Sequence, residues 1–296
     1  PSPDATNLDQ VKGYIEAFYL LCAIDEWERA VNVIFTKLNS PADAQLHYHL
    51  KLWGYTQEQR ELYEALIGHV EPKWNGLLLQ FLGTTHQAQG NYLQAREYLE
   101  QSLVILREFG DRVDQGTVLS NLAEVYYALG DYDRAIEYQE TWLAIARQAG
   151  VRFGEGIALG SLGNIYESQG NYAKALDYHQ QHLAIARETG DLEMEGSALG
   201  NVGSCYHSLG QYEQARKYHR QHLALAQQIG NRQGESSALA GLGSACYNLG
   251  DYETAAHYFE QQRQIAHDIH DRLSEGNALG GLGNVCFITG DYAQAL

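Results

Sequence analysis

An all-α fold, a solenoid of about eight stacked helical hairpins, is what this 296-residue chain predicts. Three observations carry the expectation. Gly-x-Tyr landmarks fall at Gly90, Gly130, Gly170, Gly210, Gly250 and Gly290, so the sequence repeats every 40 residues. A fixed period of roughly 20–50 residues marks an array of one supersecondary unit, whose apolar face is buried only by stacking on its neighbours. Within each period, apolar residues recur at three- and four-residue spacing, and Gly-Asn or Gly-Asp pairs interrupt that spacing, so each unit reads as two helices.

Residues 1–70 read as irregular hairpins of the same kind. "LDQVKGYIEAFYLLCAIDEWERAVNVIFTKLN" gives two helices, the second opening on Trp27 and Ala30. Ser40-Pro41 reads as an N-cap and a first-turn proline, and "LHYHLKLWGYTQEQRELYEALIG" turns at Gly54. Residues 71–296 form the regular part, opening at Pro72, with the last unit cut short. Residues 156–195 serve as the type unit. Leu159, Leu162, Gly163 and Tyr166 share one face of a first helix, here helix A. Gly170-Asn171 breaks that helix, because glycine accepts the left-handed conformation a helix end needs. Helix B follows with Tyr172, Ala175, Tyr178, Leu183 and Ile185, and Gly190-Asp191 ends it, the aspartate capping the next helix. Seven full hairpins and the start of an eighth are expected. The chain begins at Pro1 and stops inside "GDYAQAL", a helix B cut after its alanine. Both ends read as edges of a module within a longer protein, and the uncovered apolar end is expected to self-associate.

"GNALGGLGNV", residues 276–285, imitates a nucleotide-binding glycine loop. Cys286 stands where a dinucleotide fingerprint needs its third glycine, and no strand precedes the stretch. The stretch also has siblings beginning at Gly156, Gly196 and Ser236, whereas a cofactor loop occurs once per site. The glycines are therefore assigned to packing: Gly83, Gly163, Gly203, Gly243 and Gly283 are expected where helix A meets helix B.

The pattern L-x-x-L-G-x-x-Y-x-x-x-G-x-Y-x-x-A, filled here by Leu159, Leu162, Gly163, Tyr166, Gly170, Tyr172 and Ala175, resembles the tetratricopeptide repeat (TPR). Helix B runs on through "AIARETGD" without the family's closing proline. That longer form is similar to the repeats of Leu-Gly-Asn adaptors and kinesin light chains. The resemblance implies a right-handed superhelix that binds protein or peptide and carries no cofactor. The stretch "VKGYIEAFYLLCAIDEWERAVNVIF" is similar to the segment following the ATPase part of bacterial STAND (NB-ARC- or NACHT-type) signalling NTPases with repeat-built sensors. This implies a ligand-sensing region whose ATPase lies outside the chain, which has no phosphate loop of its own. A free-standing scaffold or adaptor is the alternative.

Composition excludes several classes. Lys plus Arg number 20 against 37 Asp plus Glu, a formal charge of −17, so nucleic acid and anionic membranes are poor partners. No apolar run reaches the roughly 20 residues of a membrane span. The cysteines, Cys22, Cys205, Cys246 and Cys286, form no CxxC pair, which argues against zinc or disulfides and for a reduced, cytoplasmic protein. An enzyme is not expected, because HExxH and GxSxG are both missing.

The TPR resemblance implies that helix A lines a concave, ligand-facing surface with helix B behind it. The helix A frame then supplies the candidate peptide-binding residues. They are Asn121, Glu124 and Tyr127; Asn164 and Glu167; Asn201, Ser204 and His207; Ser244, Tyr247 and Asn248; and Asn284. An asparagine offers both a donor and an acceptor, the complement of a peptide backbone. The same residues also suit a solvated helix face. The frame holds no Lys or Arg, so no carboxylate clamp forms there, and Glu124 and Glu167 favour a neutral or basic segment. On helix B, His179 and His182 are repeated by His219 and His222, a pattern that would also suit a metal. Gln139 and Trp142 one repeat earlier, and Phe259 and Gln262 one repeat later, make these packing positions, so no metal is assigned and the histidines are expected behind the ligand face.

Overall fold

The computed structural model describes residues 7–38, 44–109 and 112–290. Among them the chain forms fifteen α-helices and one isolated antiparallel bridge, Lys37 to Gln45. It divides into two compact units, Pro1–Ile145 and Ala146–Leu296. No helix among the described residues is long and apolar enough to cross a membrane.

In the first unit, α1 (Asn7–Ala23) pairs with α2 (Trp27–Ile34), α3 (Leu46–Leu52) with α4 (Thr56–Leu66), and α5 (Pro72–Ala88) with α6 (Tyr92–Phe109). α7 (Arg112–Ala128) follows, and then α8 (Tyr132–Ala149), of which the residues up to Ile145 belong to this unit, with Tyr126 and Tyr138 stacked between them at 5.5 Å. Two of the early helices are short, 8 residues in α2 and 7 in α3 against 17 in α5. Their core therefore leans on large side chains, with Phe18, Ile34, Leu46, Leu50, Leu62, Tyr63 and Leu66 all buried together. A polar knot sits among them: His47 Nδ1 lies 2.7 Å from Tyr63 Oη, and Gln59 Nε2 donates to the His47 carbonyl at 2.7 Å. Pro72 opens α5 in its first turn, as its spacing predicts. Ser40-Pro41 lies outside the described residues.

In the second unit, α9 (Arg152–Ser168) pairs with α10 (Tyr172–Thr189), α11 (Leu192–Ser208) with α12 (Tyr212–Ile229), and α13 (Arg232–Asn248) with α14 (Tyr252–Asp268); α15 (Arg272–Thr289) packs on α14. The described helices thus make seven hairpins and the first helix of an eighth, the expected count. Residues 291–296, where the cut helix B is expected, lie outside the description. Helix ends follow the sequence signals. Gly170 and Gly190 take φ of +74° and +69°. Asp191 accepts from Met194 N at 2.9 Å, and Asn231 from Gly234 N at 2.8 Å, each capping the helix that follows.

The glycines explain why no unit stands alone. α9 carries Gly154, Gly156, Gly160 and Gly163, each costing roughly 1 kcal/mol of helix propensity against alanine. Burial of Leu159, Leu162, Ile165 and Tyr166, at about 1.5–3 kcal/mol per side chain, more than offsets this, but only once neighbours are stacked. The glycines make close packing possible. A Cβ on Gly203 would stand 2.7 Å from His219 Cε1, one on Gly243 2.6 Å from Phe259 Cε1, and one on Gly83 2.5 Å from Leu99 Cγ. One on Gly163 would overlap the His179 ring. Gly283 is the exception, with nothing within 4 Å among the described residues.

Two described helix ends break the glycine rule, at Asp25 with a φ of +60° and at His270. His270 holds the position of Gly230, Gly190 and Gly150 one, two and three repeats earlier, and keeps a φ of +59°. A left-handed side chain costs about 1–2 kcal/mol. Replacing His270 with glycine is expected to stabilise this end by about 0.5–1 kcal/mol, after subtracting the greater freedom of unfolded glycine. A higher melting temperature and slower amide exchange in α14 and α15 would show it; a lower melting temperature would contradict it.

Candidate ligand-binding face

In the first unit, Asn121 is half-buried on α7, whereas Glu124 and Tyr127 are exposed. Gln87 on α5 donates to Glu124 Oε2 at 2.7 Å, joining successive helices A at this face. The second unit repeats the device. Asn201 Nδ2 on α11 donates to Asn164 Oδ1 on α9 at 3.3 Å, and Asn248 Nδ2 on α13 lies 3.1 Å from His207 Nε2 on α11. The first of these bonds uses one donor of Asn201 and the acceptor of Asn164, and each amide has further hydrogen-bonding capacity. None of the twelve candidate residues is buried.

Two cavities open along the second unit. The first, about 350 Å³, lies among α11, α12 and α13; Gly196, Gly200, Asn201, Ser204, His219, His222 and Ser237 are among its lining residues. The second, about 400 Å³, is lined by His207, Ser244, Tyr247, Asn248, Phe259, Asn277 and Asn284 with Gly276, Gly280 and Gly281. Seven of the candidate residues therefore line one cavity or the other. Asn164 and Glu167 stand outside both, and Asn121, Glu124 and Tyr127 belong to the other unit.

The histidines require a correction. They were expected behind the ligand face, yet His219 and His222 share the first cavity with Asn201 and Ser204. The physical reason is the glycine column of helix A. A Cβ at Gly200 would stand 3.1 Å from His222 Nδ1, and the missing side chain lets the imidazole reach between the helices. Each ring keeps its Nδ1 without a hydrogen-bond partner, His219 at 5% exposure and His222 at 9%. Burial, reinforced by His222 and His207, pushes the His219 imidazole down from its ordinary 6.5 to about 4, and burial lowers His222 as well. Both are neutral near pH 7, so they give the cavity uncharged donors and acceptors, while the Glu193 carboxylate also lines it. Glycines opposite histidines at matching positions of adjacent helices were the signal in the sequence. The packing reading of the two helix B positions otherwise agrees with burial: Gln139, Trp142, His179, His182, Phe259 and Gln262 are all below 9% exposure.

Stacked helical hairpins bearing glycine, serine and asparagine on the helix A faces, with two cavities that no lysine or arginine lines, define an α-helical repeat fold. The chain belongs to the tetratricopeptide repeat family, whose pattern matches residues 76–148, 154–228 and 234–296. No curated protein sequence matches the chain. Among solved structures it is similar to the STAND protein with a tetratricopeptide repeat sensor from Pyrococcus horikoshii, with a TM-score of 0.74 at 19% identity, over 96% of this chain and 44% of that one. The chain thus spans less than half of that protein. It is also similar to a Rap protein solved in complex with competence and sporulation factor, with a TM-score of 0.60 at 16% identity, over 97% of this chain and 94% of that one. Kinesin-light-chain repeats from Podospora anserina match with a TM-score of 0.59 at 21% identity, over 68% of this chain and 99% of theirs. At these identities the likenesses establish the shared fold.

Proposed function

We propose that the chain is a non-catalytic binding module that holds an extended protein or peptide segment against its helix A faces, as the ligand-sensing region of a larger STAND-type signalling NTPase. The observation that carries this reading is the second unit's lining. Two cavities of about 350 and 400 Å³ are edged by amides, hydroxyls, imidazole and other aromatic rings, bare glycine backbone and, in the first, the Glu193 carboxylate. Such a surface suits a peptide main chain with small or aromatic side chains better than a reacting centre. The likeness to a STAND sensor and to a Rap protein with its bound factor supports the same reading. The exposed Glu124, the half-buried Glu167 and the chain's excess of acid favour a neutral or basic segment.

The test begins with a peptide selected from a displayed library on the full chain, and measures its affinity by calorimetry. Asn164→Ala and Asn201→Ala are each expected to weaken it by about 0.5–1.5 kcal/mol, the net worth of a neutral hydrogen bond, with the fold unchanged. His219→Ala is expected to weaken it too, because that ring lines the Asn201 cavity, while His257→Ala on the exposed side of α14 leaves it unaltered. Loss on His257→Ala with none on the asparagines would place binding elsewhere. A phosphate loop encoded upstream of Pro1 supports the NTPase assignment; a gene without one leaves a free-standing scaffold.

A further inference from the structure

We propose that Glu167, His179 and Cys205 form a binding site for a thiophilic divalent transition metal, zinc foremost. The three residues come from three consecutive helices, α9, α10 and α11. Their ligand atoms all lie within 4.8 Å of one another, with His179 Nε2 3.8 Å from Glu167 Oε2. Tetrahedral zinc, with bonds of about 2.0–2.3 Å, spaces its ligand atoms roughly 3.3–3.8 Å apart. Closing on an ion therefore takes shifts of about an ångström, within the reach of small side-chain rotations.

The imidazole is the observation that points to a ligand. His179 is 0% exposed, and neither ring nitrogen has a hydrogen-bond partner. Buried polar groups are nearly always paired, and an unpaired one costs about 1–3 kcal/mol. The ring is pressed against Gly163, where a Cβ would overlap it, so it is held in place by packing. A metal on Nε2 gives this nitrogen the partner the protein withholds.

The donor set is specific. Imidazole, thiolate and one carboxylate suit zinc, whereas calcium and magnesium take oxygen ligands. As the Zn–S bond forms, the Cys205 thiol releases its proton to solvent. Thiolate and carboxylate together bring two negative charges against the ion's two positive ones, so no net charge is buried. The Glu167 side chain is 31% exposed, which leaves a path of entry and a fourth position for water or a ligand group. Without the ion, burial and the Glu167 charge push the Cys205 thiol up to about 12, so it is an inert thiol until a metal displaces its proton.

The repeat shows that packing alone does not ask for this trio. One repeat on, the three positions hold His207, His219 and Ala245; one repeat back, they hold Tyr127, Gln139 and Ile165. Three metal-ligating types coincide once. The four helix B histidines do not make such a site, since the group of three or more converging donors among the described residues is this one.

The experiment is titration of the full chain with Co²⁺, then competition by Zn²⁺. One equivalent of Co²⁺ is expected to produce thiolate-to-cobalt charge-transfer absorption in the near ultraviolet and tetrahedral bands in the visible. The array supplies substitutions already accepted at the same positions: Cys205→Ala as in Ala245, His179→Gln as in Gln139, Glu167→Gln as in Gln87. Cys205→Ala should abolish the ultraviolet band. His179→Gln and Glu167→Gln should each weaken Co²⁺ by about 100-fold or more, at least the loss seen when a metal ligand's supporting partner is removed. Zn²⁺ should raise the melting temperature of the native chain and not that of folded Cys205→Ala. No charge-transfer band with excess Co²⁺, or a band that survives Cys205→Ala, overturns the proposal. So does a loss on His222→Gln equal to that on His179→Gln, which would move the ion to the neighbouring cavity.

Discussion

Replacing Gly203 with leucine is expected to destabilise the second unit by about 3 kcal/mol, the upper part of the range for overpacking. The reason is a ring clamped from both sides. His219 meets Gly203 of α11 on one face, where a Cβ would stand 2.7 Å from Cε1, and Gly241 of α13 on the other, at 2.5 Å. Real Cβ atoms do not approach so closely, and the imidazole cannot retreat from one helix without striking the next. Because each repeat is stabilised by its neighbours, hydrogen exchange should quicken in α11, α12 and α13 together. Gly13→Ala supplies the contrast. A Cβ there meets nothing within 4 Å, so the helix-propensity gain of up to about 1 kcal/mol should appear as added stability. Equal effects of the two substitutions would mean that the glycines are not at the helix contacts.

Acid should loosen both units well before its carboxylates are spent. In the first unit, burial and then the Lys51 charge push His47 down to about 4, and in the second His219 is also held at about 4. Both are neutral when folded but take a proton at their ordinary 6.5 when unfolded. Their contribution is therefore complete above pH 6.5 and is lost as the pH falls toward 4. The loss runs at about 1.4 kcal/mol per pH unit for each ring, reaching roughly 3 kcal/mol per histidine. His219→Phe, the residue the array places at Phe259, should flatten the decline of urea-unfolding stability between neutral pH and pH 4.5 by about 2–3 kcal/mol. A variant that declines as steeply as the native chain would show that the imidazole takes its proton without unfolding.

Most of the candidate face was legible because a period of 40 residues makes each position comparable with its equivalents. Asn201, Ser204, Ser244, Tyr247 and Asn248 come from the helix A frame that the repeat resemblance supplies, and each borders a cavity. His219 and His222 were misplaced by the same reasoning, since the frame assigns a residue to its own helix and cannot show that a facing glycine admits it to the other side. The trio of Glu167, His179 and Cys205 escaped notice for a related reason. Metal spacing rules look for donors close together in sequence, and these are 12 and 26 residues apart, joined only when α9, α10 and α11 stack.

By itself the sequence determined the hairpins, their ends and their family, because those depend on local chemistry. Glycine accepts a positive φ at Gly170 and Gly190, Asp191 caps the next helix, and leucines at three- and four-residue spacing make one face. Only the tertiary structure decided which side chains meet between helices. Whether Asn164 pairs with Asn201, whether His222 reaches a cavity, and which donors converge on His179 are fixed by distances between helices. Those distances follow from how closely the glycines let neighbouring helices approach, a property of the stacked pair that no single repeat contains.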